Sequence, residues 1–163
     1  MNFDDTDRRI LDLLQTDASL SNQDLADRAL TSPATALRRV RRLVDAGVIE
    51  RRVALLNPHA LAEGLTALVE VSLDRQGAEH LEAFEQRAVN EAGVQQCWRV
   101  SPGPDFVLVL HVAGMTAYQA LVQRLFTQDA NVRNVKAFFS VKRAKFDPRL
   151  TVAPVSASGS SGP

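Results

Sequence analysis

The apolar residues of this chain change period once, and the change limits what 163 residues can fold into. Up to about residue 53 they recur at helical spacing. From Leu65 onward they alternate in twos, as in strands. Ile10, Leu13 and Leu14 predict a first amphipathic helix, which Asp17-Ala18-Ser19 interrupts. Ser21 opens a second, with Asp24 three residues on as a capping-box acid and Leu25 and Ala29 on its buried side. Leu30-Thr31-Ser32 forms a short turn. Ser32 then caps a third helix whose first residue is Pro33, where a missing N–H costs nothing. Leu37, Val40 and Val44 are its predicted core face, and Gly47 ends it. Val48-Ile49 and Arg51-Arg52-Val53 predict a short strand or wing, and Asn57-Pro58 marks a break.

Beyond the break, Ala67, Val69, Val71 and Leu73 predict a strand. Gly77 precedes a helix carrying Leu81, Phe84 and Ala88, and Val94–Val100 is a second strand. Ser101-Pro102-Gly103-Pro104 connects it to a third, Phe106–Val112. Met115–Gln128 is helical, and Val132–Lys145 is a last strand with Val135, Ala137, Phe139 and Val141 on one face. The order is βαββαβ, the ferredoxin-like arrangement. The fold class is therefore α+β, with a helix-turn-helix domain over 1–53, a hinge over 54–63 and a ferredoxin-like domain over 64–147. Residues 148–163 are rich in Pro, Ser and Gly and predict a disordered tail.

Charge distribution, not total charge, points to a partner. Lys and Arg number 19, as do Asp and Glu, yet Arg28 to Arg52 holds seven arginines against Asp45 and Glu50, a local excess of +5. Arginine forks suit phosphates and guanine edges. A recognition helix meets bases with its early residues. The candidate DNA-binding residues are therefore Ser32, Thr35, Arg38 and Arg39 at the start of the third helix. Arg42 stacks with Arg38 at i, i+4, away from the Leu37/Val40/Val44 face, and Arg41, Arg51 and Arg52 are better placed for phosphates. The expected partner is double-stranded DNA.

Other chemistry is thinly represented. Cys97 is the single cysteine, which excludes an internal disulfide and a zinc finger and fits a reducing, cytoplasmic setting. The acidic start MNFDDTDRR lacks the apolar run of a signal peptide, and no segment has the length of a membrane span. His59, His80 and His111 are scattered without metal-ligand spacing, so no metal or cofactor is expected. Cys97 and Trp98 occupy opposite faces of one strand, Cys97 as a buried small residue and Trp98 at a core or interface.

The ordered motifs carry a family resemblance. Phe3-Asp4-x-x-Asp7-x-x-Ile10-Leu11-x-x-Leu14, Leu20-Ser21-Asn22-x-x-Leu25-Ala26, Ser32-Pro33, Leu37-x-Arg39-Val40-x-Arg42-Leu43, Gly47-Val48-Ile49 and Leu56-Asn57-Pro58 lead into Val69-Glu70-Val71 and Asp105-Phe106. Over residues 3–147 this resembles the Lrp/AsnC transcriptional regulators. The resemblance implies a winged helix-turn-helix followed by a ligand-sensing RAM domain and no enzymatic role. It also implies homodimers joined through the sheet domains and assembling into octamers, with an amino acid or related metabolite bound between dimers near the loop joining strands two and three. On that basis Ser101, Gly103, Asp105, Phe106 and Ala137 are the expected effector-binding residues.

The loop departs from the family pattern, Gly-x-x-Asp-Tyr. Here Pro102-Gly103-Pro104-Asp105-Phe106 stands in its place, and Ala137 lies near a frequent family threonine. Proline supplies no N–H, so a carboxylate would find fewer donors, while Asp105 could still pair an ammonium. The expected effector is accordingly an amino acid with an apolar side chain. Two alternatives stay open: a ligand-independent, nucleoid-organising DNA protein, and a heme-pathway decarboxylase on the same scaffold, which would need no arginine-rich helix.

Overall fold

The structure, a computed structural model, describes residues 3–61 and 64–152. The chain forms two compact units, one running to Leu55 and resuming at Phe146, the other spanning Leu56–Lys145. Among the described residues no helix is long and apolar enough to cross a membrane.

The first unit holds α1 (Asp5–Thr16), α2 (Asn22–Arg28) and α3 (Pro33–Asp45). Each start is locally encoded. Asp4 caps α1 in a full capping box, its carboxylate accepting the Asp7 amide while that of Asp7 accepts the Asp4 amide. Ser21 caps α2. The Ser32 hydroxyl accepts the Thr35 amide and donates to the Thr35 hydroxyl at 2.9 Å, with Pro33 in the first turn. Gly47, at φ +69°, ends α3: its amide donates to the Val44 carbonyl and that of Val48 to Leu43, closing the last turn. Ile10, Leu11, Leu25, Ala29, Val40 and Leu43 form the core.

Two expectations change here. Ala36, Val40 and Leu43 are the buried face of α3, while Leu37 and Val44 point outward. Residues 50–57 form no strand, because the unit supplies no second strand to take up their backbone groups. The tail differs as well. The Gln15 side-chain amide donates to the Leu150 carbonyl at 3.0 Å, its oxygen accepts the Leu150 amide at 2.6 Å, and Val152 packs on the helical core. Residues 148–152 are thus bound to the first unit, and the rest of the predicted tail lies outside the described residues.

The second unit follows the predicted βαββαβ order: β1 (Leu65–Leu73), α4 (Ala78–Asn90), β2 (Val94–Arg99), β3 (Phe106–Val112), α5 (Met115–Val122) and β4 (Val132–Phe139). A π-helical turn, Gln123–Thr127, extends α5. The strands are antiparallel in the order β2-β3-β1-β4. Val69 and Val71 of β1 and Phe106, Leu108 and Leu110 of β3 meet Phe84 of α4 and Leu121 of α5 on the covered face. Cys97 packs toward this core while Trp98 is exposed on the open face. β4 stops at Phe139, short of the predicted Lys145, because its neighbour β1 begins there: Ala67 pairs with Phe139 and the Ser140 amide donates to Thr66. Val141 is fully exposed.

Leu30, in the α2–α3 turn, adopts φ +57° and is 77% exposed. A branched side chain in the left-handed region costs about 1–2 kcal/mol, partly offset by the greater unfolded-state freedom of glycine. Leu30→Gly is expected to stabilise the first unit by about 0.5–1 kcal/mol, read as a raised urea midpoint at unchanged slope.

Candidate nucleic-acid interface

An ion cluster holds α3 against α1. Asp7 lies in the first turn of α1 and is 1% exposed. Its Oδ1 accepts from Arg39 Nη1 at 2.9 Å and its Oδ2 from Arg42 Nη2 at 2.6 Å. The same Arg39 nitrogen reaches Asp4 Oδ2 at 2.7 Å. The Asp7 amide, and after it the Arg39 guanidinium, hold the Asp4 carboxyl below its ordinary range. The two carboxylates, Asp4 foremost, raise Arg39 further. Arg39 Nε is buried without a hydrogen-bond partner.

The clamp fixes what α3 presents. With Ala36, Val40 and Leu43 inward, the outer face carries Ala34, Leu37, Arg38 and Arg41, lining a shallow concavity that runs to Asp45. Among the described residues, neither Arg38 nor Arg41 meets a carboxylate within ion-pair distance. Asn22 anchors the start of α3, its side chain donating to the Pro33 carbonyl at 2.9 Å. Arg9 Nε donates to the Ala29 carbonyl at 3.0 Å and secures the preceding turn. Exposed guanidinium groups on an anchored helix suit the phosphates and base edges of a groove.

In the second unit the β2–β3 loop is shaped by backbone bonds. Asp105 Oδ2 accepts the Leu73 amide at 2.7 Å, and the Asp105 amide donates to Val71 at 2.9 Å. Gly103 takes φ +128°, where a side chain would be strained. Ser101, Pro102 and Gly103 are exposed.

Comparisons with known proteins agree with both units. The winged helix-turn-helix DNA-binding family matches residues 3–50, and the Lrp/AsnC ligand binding domain matches residues 66–150. An HTH-type transcriptional regulator of Haemophilus influenzae is 36% identical over 89% of this chain and 86% of its own. The chain belongs to the Lrp/AsnC family. The leucine-responsive regulatory protein of Escherichia coli K12 is 34% identical over 93% of this chain and 92% of its own. The solved complex of a Neisseria meningitidis transcriptional regulator with L-Met superposes at a TM-score of 0.81, with 30% identity over 91% of this chain and 96% of that one. This Lrp/AsnC protein is a DNA-binding transcriptional regulator, with a winged helix-turn-helix ahead of an α+β sensor domain.

The expected site residues separate accordingly. Arg38 and Arg41 share the open face of α3, with Arg42 at its margin, half-exposed and bonded to Asp7. Ser32 and Thr35 spend their hydroxyls on the cap. Arg39 is clamped rather than presented, its side chain only 19% exposed. Arg51 and Arg52 are exposed in the irregular segment after α3. Among the effector residues, Phe106 is a correction. It is fully buried with its ring 4.8 Å from that of Phe84, because it alternates in phase with Leu108 and Leu110. Ala137 pairs with Val69, so β1 stands between it and β3 at the loop, about 10 Å across the sheet on strand spacings. A single chain does not bring the two together. Asp4 and Asp7 entered the sequence reading only within the family motif; neither their capping box nor their hold on Arg39 and Arg42 was read there.

Removing one partner of a buried pair strands the other charge and costs about 3–5 kcal/mol. Asp7→Asn is expected to lose that much in chemical denaturation, and Arg39→Ala to lose stability in the same direction. Arg38→Ala should stay within about 0.5 kcal/mol of the parent. Asp4 adds a pH dependence of defined sign. With its folded pKa depressed, its contribution is complete above the ordinary value of 3.8 and fades as pH falls through the folded value.

Proposed function

We propose that the protein reads specific DNA sites as a homodimer through the outer face of α3 and adjusts that binding to an amino acid with an apolar side chain. The carrying observation is the pair Arg38 and Arg41, held outward on a capped and clamped helix. Arg38 suits a guanine edge and Arg41, Arg51 and Arg52 suit phosphates. Binding to DNA and a single cysteine support a cytoplasmic setting.

The open face of the sheet supports the dimer. Leu68, Trp98 and Phe138 are exposed there beside Val107 and Val109, in cross-strand rows Val109–Leu68–Phe138 and Trp98–Val107–Glu70. An apolar sheet face without a covering layer gains by burial against its own copy. Octamers would follow from further contacts between such dimers.

For the effector, the L-Met complex of the Neisseria relative supports an amino acid, and the apolar proline-containing loop supports a hydrophobic side chain. The bond from the Leu73 amide to Asp105 favours a second reading, a DNA-organising protein with no effector, because it commits one carboxylate oxygen to the fold. Calorimetry separates the two. The effector reading expects methionine or leucine to bind more tightly than glycine or asparagine, and loses to the second reading if none of them binds.

DNA binding should weaken steeply with salt. Arg51→Ala and Arg52→Ala are each expected to reduce the slope of log K against log salt by about one unit, measured by fluorescence anisotropy at several salt concentrations.

A further inference from the structure

The outer face of α3 is not wholly basic. Leu37 sits between the arginines in the second turn, 41% exposed, with Ala34 one turn before it. Its exposure is imposed. The Asp7 clamp holds Arg39 and Arg42 toward α1, so Leu37 on the opposite side of the helix is left facing out with Ala34 and Arg41, while Arg38 lies exposed beside Arg42. Single exposed leucines are ordinary on protein surfaces. This one lies on the same outward face as Arg38 and Arg41, at the early helical positions that approach base edges.

The major groove offers an apolar side chain one matching group, the C5-methyl of thymine. We propose that Leu37, backed by Ala34, is a specificity-determining residue that selects thymine by its methyl group at one position in each half-site, next to the base pair met by Arg38. The proposal rests on the assignment of α3 as the reading helix. The same helix then combines two kinds of selection: a charged fork seeking guanine acceptors, and an apolar spot that gains only where a methyl group excludes water. Cytosine at that position presents only C5–H where thymine carries its methyl group and so offers the leucine less apolar surface.

The test uses full-length protein and a site obtained by in vitro selection. Each thymine is replaced in turn by deoxyuridine, which removes the methyl and leaves base pairing intact. At one thymine per half-site the parent protein is expected to bind about three- to fivefold more weakly, the weight of one buried methyl group. Leu37→Ala should bind less tightly and be indifferent to uracil there, while Leu37→Met should keep the penalty. Arg38→Ala should keep it too, while changing the preference for guanine. Circular dichroism confirms that each variant is folded, as a partly exposed position allows. The proposal is overturned if no uracil affects the parent, or if Leu37→Ala retains the full penalty at the same position. It is equally overturned if Leu37→Ala dissociates the dimer in light scattering with base preference unchanged, which would assign the leucine to a subunit contact. If Arg38→Ala also leaves site preference untouched, the reading role of α3 itself has failed; if it alters that preference while uracil has no effect, only the role of Leu37 has.

Discussion

Asp7 is one buried carboxylate carrying two guanidinium groups, and the rotation of α3 depends on it. Hydrophobicity alone leaves that rotation undecided. The helix has two apolar stripes, Ala36-Val40-Leu43 and Leu37-Val40-Val44, and the second is the bulkier. Because the stripes share Val40, burying the second would turn the helix by about 65°, less than the roughly 100° step of one residue. That turn would carry Arg39 and Arg42 away from α1 and leave a carboxylate in the core without a counter-charge. Buried ion pairs add little net stability, since desolvation offsets most of their attraction. Here the cluster selects one of two packings, which is a question of uniqueness more than of strength.

The sheet unit shows a similar division between holding and presenting. Asp105 lies in an exposed loop, yet its carboxylate closes the end of β1 through the Leu73 amide. Arg39, in the first unit, has the same character: a residue whose type suits a ligand is committed to the frame. What remains to meet partners is less charged than the composition suggests. The α3 face combines two guanidinium groups with a leucine, and the loop face is dominated by prolines and a glycine.

Local features were legible in the sequence. Ser21, Ser32, Pro33 and Gly47 act through bonds to their own neighbours, and the structure keeps every one of these boundaries. The order of strands followed from alternation. Features set by tertiary contact were not legible. The phase of α3 needed Asp7, which lies 32 residues from Arg39. The end of β4 needed the start of β1. Phe106 was assigned to the effector loop through the family pattern, although its spacing with Leu108 and Leu110 already placed it on the covered face. The docking of residues 148–152 leaves almost no signature, because Gln15 grips the backbone of Leu150, whose side chain is exposed.

That last contact alters the topology of the whole chain. The polypeptide leaves the helical unit at Leu55, builds the sheet, and returns at Phe146. The sheet is therefore an insertion within the helical unit. The strand where it begins and the strand where it ends are hydrogen-bonded neighbours, with Thr66 beside Ser140. The chain therefore passes between the two units twice, once after Leu55 and once before Phe146. The described carboxyl-terminal residues of this chain thus belong to the same compact unit as its amino-terminal helices.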